Sequence, residues 1–271
     1  MACSHGRVRS RAGKVAPVTR VMRYDEAAAR RIMALSDTPD VRAQRRRVIE
    51  LLAPQTGWRV LDIGCGPGHL AAELAERVGP TGRVFGTDIS ADMLALAARA
   101  DVDLVEVAGI ELPFEDSFFD GGVATQVYEF VEDLTGALME LFRVLRPGAP
   151  AVILDTDWDS VVWHSRDLAR MRRVLDGWRE RVADPHLPRT LSRRLSDAGF
   201  EVAHREVFAI FDPVGDEDSY SAHQIDHLGS SAVGVARAEV DDWAADLRDL
   251  ASTSDYFFSV NRYIFVAAKP R

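Results

Sequence analysis

Two rhythms of hydrophobic residues alternate along this chain. Short apolar runs at 59–63, 83–88, 103–107, 118–126 and 151–155 read as buried strands. Between them, apolar residues recur every three or four positions: Leu70, Leu74 and Val78 over 69–78, and Leu134, Leu138, Leu141 and Leu145 over 134–145. Ser90 caps a further helix that opens with Ala91, Asp92 and Met93. Strand and helix take turns through about residue 155, the pattern of an α/β, doubly wound sheet. Helices at 24–35 and from Thr38 to Leu52 precede this core. After it, Leu168, Met171, Val174, Leu175, Trp178 and Val182 mark an amphipathic helix, and another runs from Leu187 toward Gly199, a left-handed cap. Residues 201–211 and 256–267 alternate as strands. Helices near 219–228 and 237–250 lie between them, the second with a core stripe at Val240, Trp243, Leu247 and Leu250.

The first strand runs straight into Gly64-Cys65-Gly66-Pro67-Gly68 and then a helix. Glycines permit a tight turn and close approach of a ligand to backbone, and the helix N-terminus offers free N–H groups. A dinucleotide fingerprint, G-x-G-x-x-G, would set its third glycine where His69 stands. Asp62, at the strand end, repels a pyrophosphate and attracts an ammonium group. This favours S-adenosylmethionine over NAD. Asp88 closes the second strand roughly twenty residues past the glycines, where a carboxylate accepts both ribose hydroxyls, and Ile89 is placed to pack on adenine.

Residues 60–68, VLDIGCGPG, resemble motif I of the class I methyltransferases. The likeness continues in order over roughly residues 55–160. Ala108-Gly109-Ile110-Glu111-Leu112-Pro113-Phe114 resembles the family's G-D-A-x-x-L-P-F, with Ala108 where an Asp usually meets the adenine amino group. Residues 125–133 resemble S-Q-V-L-E-H-V-x-D, with Tyr128 replacing Leu and Phe130 replacing His, and Leu145-Arg146-Pro147-Gly148 matches the turn into strand five. The branch it resembles is the ubiquinone/menaquinone-type (type 11) group acting on small molecules. That resemblance implies a seven-stranded Rossmann-like sheet in the order 3-2-1-4-5-7-6, its seventh strand antiparallel, with helical lid additions. It implies a cofactor set of Asp62, Gly64, Cys65, Gly66, Gly68, Asp88, Ile89, Met93, Ala108, Gly109, Ile110, Thr125 and Gln126. On the acceptor side, Tyr24, Tyr128, Trp158 and Trp163 are candidate contacts, and Asp157, His164 and His223 candidate bases. The domain reading is a mobile basic tail at 1–20 and one methyltransferase domain at 21–271. Within it fall a helical cap (21–54), a cofactor-binding core (55–160) and lid or substrate helices (161–198 and 215–250).

Composition narrows the partners. A formal charge of -9 and pI near 5.3 argue against a nucleic-acid partner. No apolar run approaches membrane-spanning length. Residues 1–20 carry Arg7, Arg9, Arg11, Lys14 and Arg20 without an apolar core, which rules against a secretory signal. Cys3 and Cys65 are the only cysteines, so neither a disulfide framework nor a thiolate metal site is expected, and a reducing cytoplasm fits. His223 and His227 share a helix face without a third ligand, and no metal is expected. A monomer or homodimer with a small-molecule acceptor is the expectation. The functional reading is methyl transfer to an oxygen or carbon of a small organic molecule, a bacterial secondary metabolite. Its rivals are a fold relative that binds S-adenosylmethionine without methylating, as structural cofactor or cyclase, and an NAD dehydrogenase.

Overall fold

The computed structural model describes residues 26–98, 101–107 and 111–271. The expectations for the 1–20 tail, Tyr24 and Ala108 to Ile110 lie outside the described residues. Eight strands form one sheet: β1 (Arg59–Ile63), β2 (Arg83–Asp88), β3 (Val102–Glu106), β4 (Gly121–Thr125), β5 (Pro150–Thr156), β6 (Val162–Trp163), β7 (Glu201–Asp212) and β8 (Phe258–Ala268). The order is β3-β2-β1-β4-β5-β8, with β7 on the far side of β8. β1 to β5 run parallel, and β8 is antiparallel to both β5 and β7. This is the predicted order with one strand more. β6 pairs with β8 at Phe258 and Ser259, on the flank that β5 leaves after Arg262.

Nine helices are described: α1 (Glu26–Ser36), α2 (Pro39–Leu52), α3 (His69–Val78), α4 (Ala91–Ala97), α5 (Leu134–Val144), α6 (Leu168–Arg179), α7 (Pro188–Asp197), α8 (Tyr220–Ser231) and α9 (Arg237–Ser252). Their starts follow local chemistry: Ser90 Oγ accepts from Met93 N at 3.3 Å, and an Asp133 carboxylate oxygen accepts from Gly136 N at 2.9 Å.

The parallel strands are apolar at successive positions because both faces are covered. Val60, Val84, Val152, Leu154 and Ile264 face Val48, Ile49, Leu52 and Leu74 of α2 and α3. Leu61, Ile63, Ile153 and Phe265 face Leu138 and Leu141 of α5 and Leu191 and Leu195 of α7. α7, grouped with the lid by sequence position, is thus a sheet-covering helix. α6, α8 and α9 instead build a separate apolar cluster with β6 and the start of β8, around Trp163, Trp178, Trp243 and Phe258. α1 crosses between α4 and α8. The sheet's carboxyl edge lies between these caps.

Candidate active site

On the β1–β4 side the loop is shaped for something to lie against it. Gly64 has φ +65°, and a Cβ there would stand 2.3 Å from Val127 Cγ2, so only glycine fits. Gly66 has φ +52°, and its Cβ would meet nothing within 4 Å. Asp88 ties two loops together, one oxygen accepting from Gly66 N and the other from Ser90 N, both at 2.9 Å. Burial raises its pKa above the ordinary carboxylate value. Asp62 is 1% exposed with one carboxylate oxygen unpartnered. Burial, reinforced by the charge of Asp88, pushes it up to about 8. A buried acid with a free oxygen is uncomfortable alone and suited to a cationic ligand. Cys65 is buried and Met93 lies beneath the loops, whereas Ile89 is exposed.

At the end of β4, Thr125 is half-buried and Gln126 adopts φ +58°, a conformation costing a non-glycine residue about 1–3 kcal/mol. Its N–H donates to Leu154 O at 2.7 Å and its Oε1 accepts from Thr156 Oγ1 at 2.7 Å, leaving the buried Nε2 without a partner. The residues present therefore fit an amino-acid cofactor: an acid for the ammonium, an unpartnered amide donor, and open space over Gly66.

The acceptor-side candidates are dispersed. Asp157 accepts from Arg189 Nε at 2.6 Å and Nη2 at 3.0 Å, and lies 3.4 Å from His186 Nδ1. Burial works upward on it, but Arg189, the Asp159 N–H and His186 together hold its carboxyl below the usual range. An ion-paired acid with lowered proton affinity is a poor base. Asp157, Asp159 and His186 set three ligand-type atoms within 4.8 Å of one another, but Arg189 pairs with both carboxylates and Arg179 with Asp159. Trp158 and Trp163 are buried, their indole N–H groups donating to Glu129 Oε2 (3.1 Å) and Tyr256 OH (3.0 Å). Trp163 also packs edge-on to Trp243 and Phe258, as core. Tyr128 is wholly buried, its unpartnered hydroxyl held above its usual pKa by burial. His164 is exposed beside β6, and His223 lines a cleft under α1.

Sequence reading passed over the groups that do gather here. Glu129 is buried, and its Oε2 accepts from Thr156 N and Trp158 Nε1, both at 3.1 Å, while Oε1 has no partner. Burial pushes it up to about 7, against the pull of these bonds and of Arg262. Asp155 accepts from Val127 N at 3.0 Å and keeps one free oxygen, its pKa raised by burial and by Glu129. Arg262, opposite Thr156 on β8, donates to Gln44 Oε1 and to Tyr220 OH (2.8 Å), lies over the Tyr220 ring and leaves Nε unpartnered. The available signals were an acid inside the apolar run 127–131 and an arginine in inward register with Val260 and Ile264.

Over 177 residues the chain is 37% identical to an uncharacterised 37.1 kDa transposon protein of Streptomyces fradiae, covering 62% of this chain and 50% of that one. Over 122 residues it is 38% identical to the 2-phytyl-1,4-naphtoquinone methyltransferase of Nostoc punctiforme, covering 42% and 53%. The matches thus span about half the length of these relatives. Among solved structures, the [4+2]-cyclase SpnF superposes with a TM-score of 0.57 at 25% identity, over 85% of this chain and 82% of that one. Among the described residues no helix is long and apolar enough to cross a membrane. Residues 61–153, which include the glycine loop, the turn after β2 and the whole of β4, match the model of the methyltransferase domain family.

Proposed function

We propose that this chain binds S-adenosylmethionine along the 64–68 loop and directs its methyl group to an oxygen or carbon of a small organic acceptor. The observation that carries this reading is the buried Asp62 carboxylate at the foot of the loop, one oxygen of which has no partner. When bound, the cofactor supplies an already activated methyl group. Asp62 would hold its ammonium, Gln126 Nε2 its carboxylate, Asp88 its ribose hydroxyls, and Ile89 and Met93 the adenine. The remaining work of the protein is alignment and exclusion of water, worth several kcal/mol on the order of effective-molarity effects. On the acceptor side Glu129, like Asp155 beside it, combines a free oxygen with a raised proton affinity. We assign it the proton released by the acceptor, received at Oε1. The naphthoquinone named for the Nostoc punctiforme relative supports a flat, apolar acceptor. The Streptomyces fradiae relative is compatible with a role in bacterial secondary metabolism.

Calorimetry with S-adenosylmethionine, S-adenosylhomocysteine and NAD tests the first step. The two sulfur ligands are expected to bind and NAD to be ignored, and NAD binding alone would point to a dehydrogenase. Asp88→Ala is expected to weaken the sulfur ligands at least tenfold, and unchanged affinity would remove Asp88 from the ribose. The likeness to SpnF supports one other reading, a cyclase that keeps the cofactor intact. Binding of S-adenosylmethionine without release of S-adenosylhomocysteine under turnover with any acceptor would favour it.

A further inference from the structure

The cap carries a feature apart from the glycine loop. Between α1 and α8 opens a cleft of about 320 Å³ bounded by Arg30, Arg31, Ala34, His223 and Asp226. A second, of about 360 Å³, shares Arg31 and Asp226 with it and runs over Ile225, Val240 and Ala244 toward α9. Both acids of the pair of clefts are already neutralised: Asp226 by Arg248 at 2.6 Å and Asp241 by Arg237 at 2.8 Å. Arg31 is not. Among the described residues it makes no ion pair, and its Nε is buried without a hydrogen-bond partner. Its charge is felt inside the cap, where His227 is pushed down to about 4 by burial and by Arg31.

An unpaired guanidinium beside a histidine, leading to a mixed wall where the edges of Ile225, Val240 and Ala244 alternate with Ser230 and Arg237, is complementary to a particular ligand shape. An anionic head group would pair with Arg31 in a partly dry setting, and an apolar body would cover Ile225, Val240 and Ala244. A chain of net charge -9 would otherwise repel anions, which makes a local positive cleft informative. We propose that the α1–α8–α9 cleft binds a small organic anion, with its charged end at Arg31 and His223 and its apolar body along α8 and α9. The site does not depend on the methyl-transfer reading. The anion is either the acceptor's own carboxylate or phosphate arm, or a separate effector of the same chemistry.

The test is calorimetry on the full chain with naphthalene-2-carboxylate, its neutral amide, and inorganic phosphate. The carboxylate is expected to bind, the amide and free phosphate at least tenfold more weakly. Arg31→Met and His223→Ala should each weaken the carboxylate tenfold or more, and Arg31→Lys should restore part of the loss. S-adenosylhomocysteine affinity, measured on every variant, reports that the fold is intact. Equal binding of carboxylate and amide, equal binding of free phosphate, or an Arg31→Met variant that binds like the parent would each overturn the proposal. A second arm identifies the source. With 6-hydroxynaphthalene-2-carboxylate, transfer of the methyl group from S-adenosylmethionine to the phenol oxygen, releasing S-adenosylhomocysteine and the phenol proton and lost in Arg31→Met, supports the acceptor arm. A carboxylate that binds alongside S-adenosylhomocysteine and is never methylated supports the effector.

Discussion

Asp62 and Asp157 are both buried acids at the carboxyl edge of one sheet, one ending β1 and the other just past β5. Asp62 keeps an oxygen with no partner and binds its proton up to about 8. Asp157 is gripped by Arg189 and gives its proton up more readily than an ordinary carboxylate. Burial pushes both in the same direction, and the presence or absence of a cation decides the outcome. The β1–β4 half of the edge is built with its polar groups unfinished, as a ligand site should be. Much of the edge past β5 is finished internally by ion pairs and indole hydrogen bonds. Satisfaction of buried groups separates binding site from scaffold better than residue type does.

That contrast can be broken in several ways. Gly64→Ala should have the largest effect, because the new methyl would collide with Val127 and φ +65° disfavours it. S-adenosylmethionine binding is expected to fall more than a hundredfold by calorimetry. Asp157→Asn should leave it within about twofold, and a comparable loss there would join the two halves again. Trp178→Ala should cost about 3–5 kcal/mol in denaturant unfolding, since the ring is fully buried against Trp158, Phe130 and His227. The intact β1–β4 half should still bind cofactor below the unfolding transition.

A pH series sharpens the comparison further. Asp62 holds its proton more tightly folded than unfolded, so its contribution to ligand-free stability is present at low pH and is lost as pH rises through about 8. Glu129 works in the same direction through about 7, so the Asp62→Asn variant is needed to isolate Asp62. Asp157 has the opposite sign: its contribution is present above the ordinary carboxylate pKa and lost as pH falls below it. Affinity for the cationic cofactor should climb close to tenfold per pH unit below about 8, and this slope should vanish in Asp62→Asn. A flat affinity profile in the parent would deny the ammonium to Asp62. The smallest effect is expected at Arg83→Ala, which removes an exposed 2.9 Å pair with Asp103, worth about 0.5 kcal/mol or less.

The parallel core was legible because its determinants are local. Strand, glycine turn and helix occupy one continuous stretch, and Asp88 sits at a fixed distance beyond it. Glu129, Asp155 and Arg262 were not legible as a group, since they stand 26 to 133 residues from one another and only the register of β5 against β8 joins them. Trp158 and Trp163 show the converse error of a residue-type argument. An indole near a strand end suggested an aromatic contact for the acceptor, whereas its N–H had a buried partner waiting. The two-residue β6 is too short to leave a periodic signal at all.

β8 lies between β5 and β7 and touches β6 as well, yet it comes after all three in the chain. During synthesis, β5 and the twelve-residue β7 emerge as unpaired edges and stay so until residue 268 has left the ribosome. Exposed edges of that length invite pairing with neighbouring chains. Yield in a cell should therefore depend on chaperone supply in the interval before β8 emerges. The strand that locks the sheet is also the one whose late arrival sets the aggregation hazard.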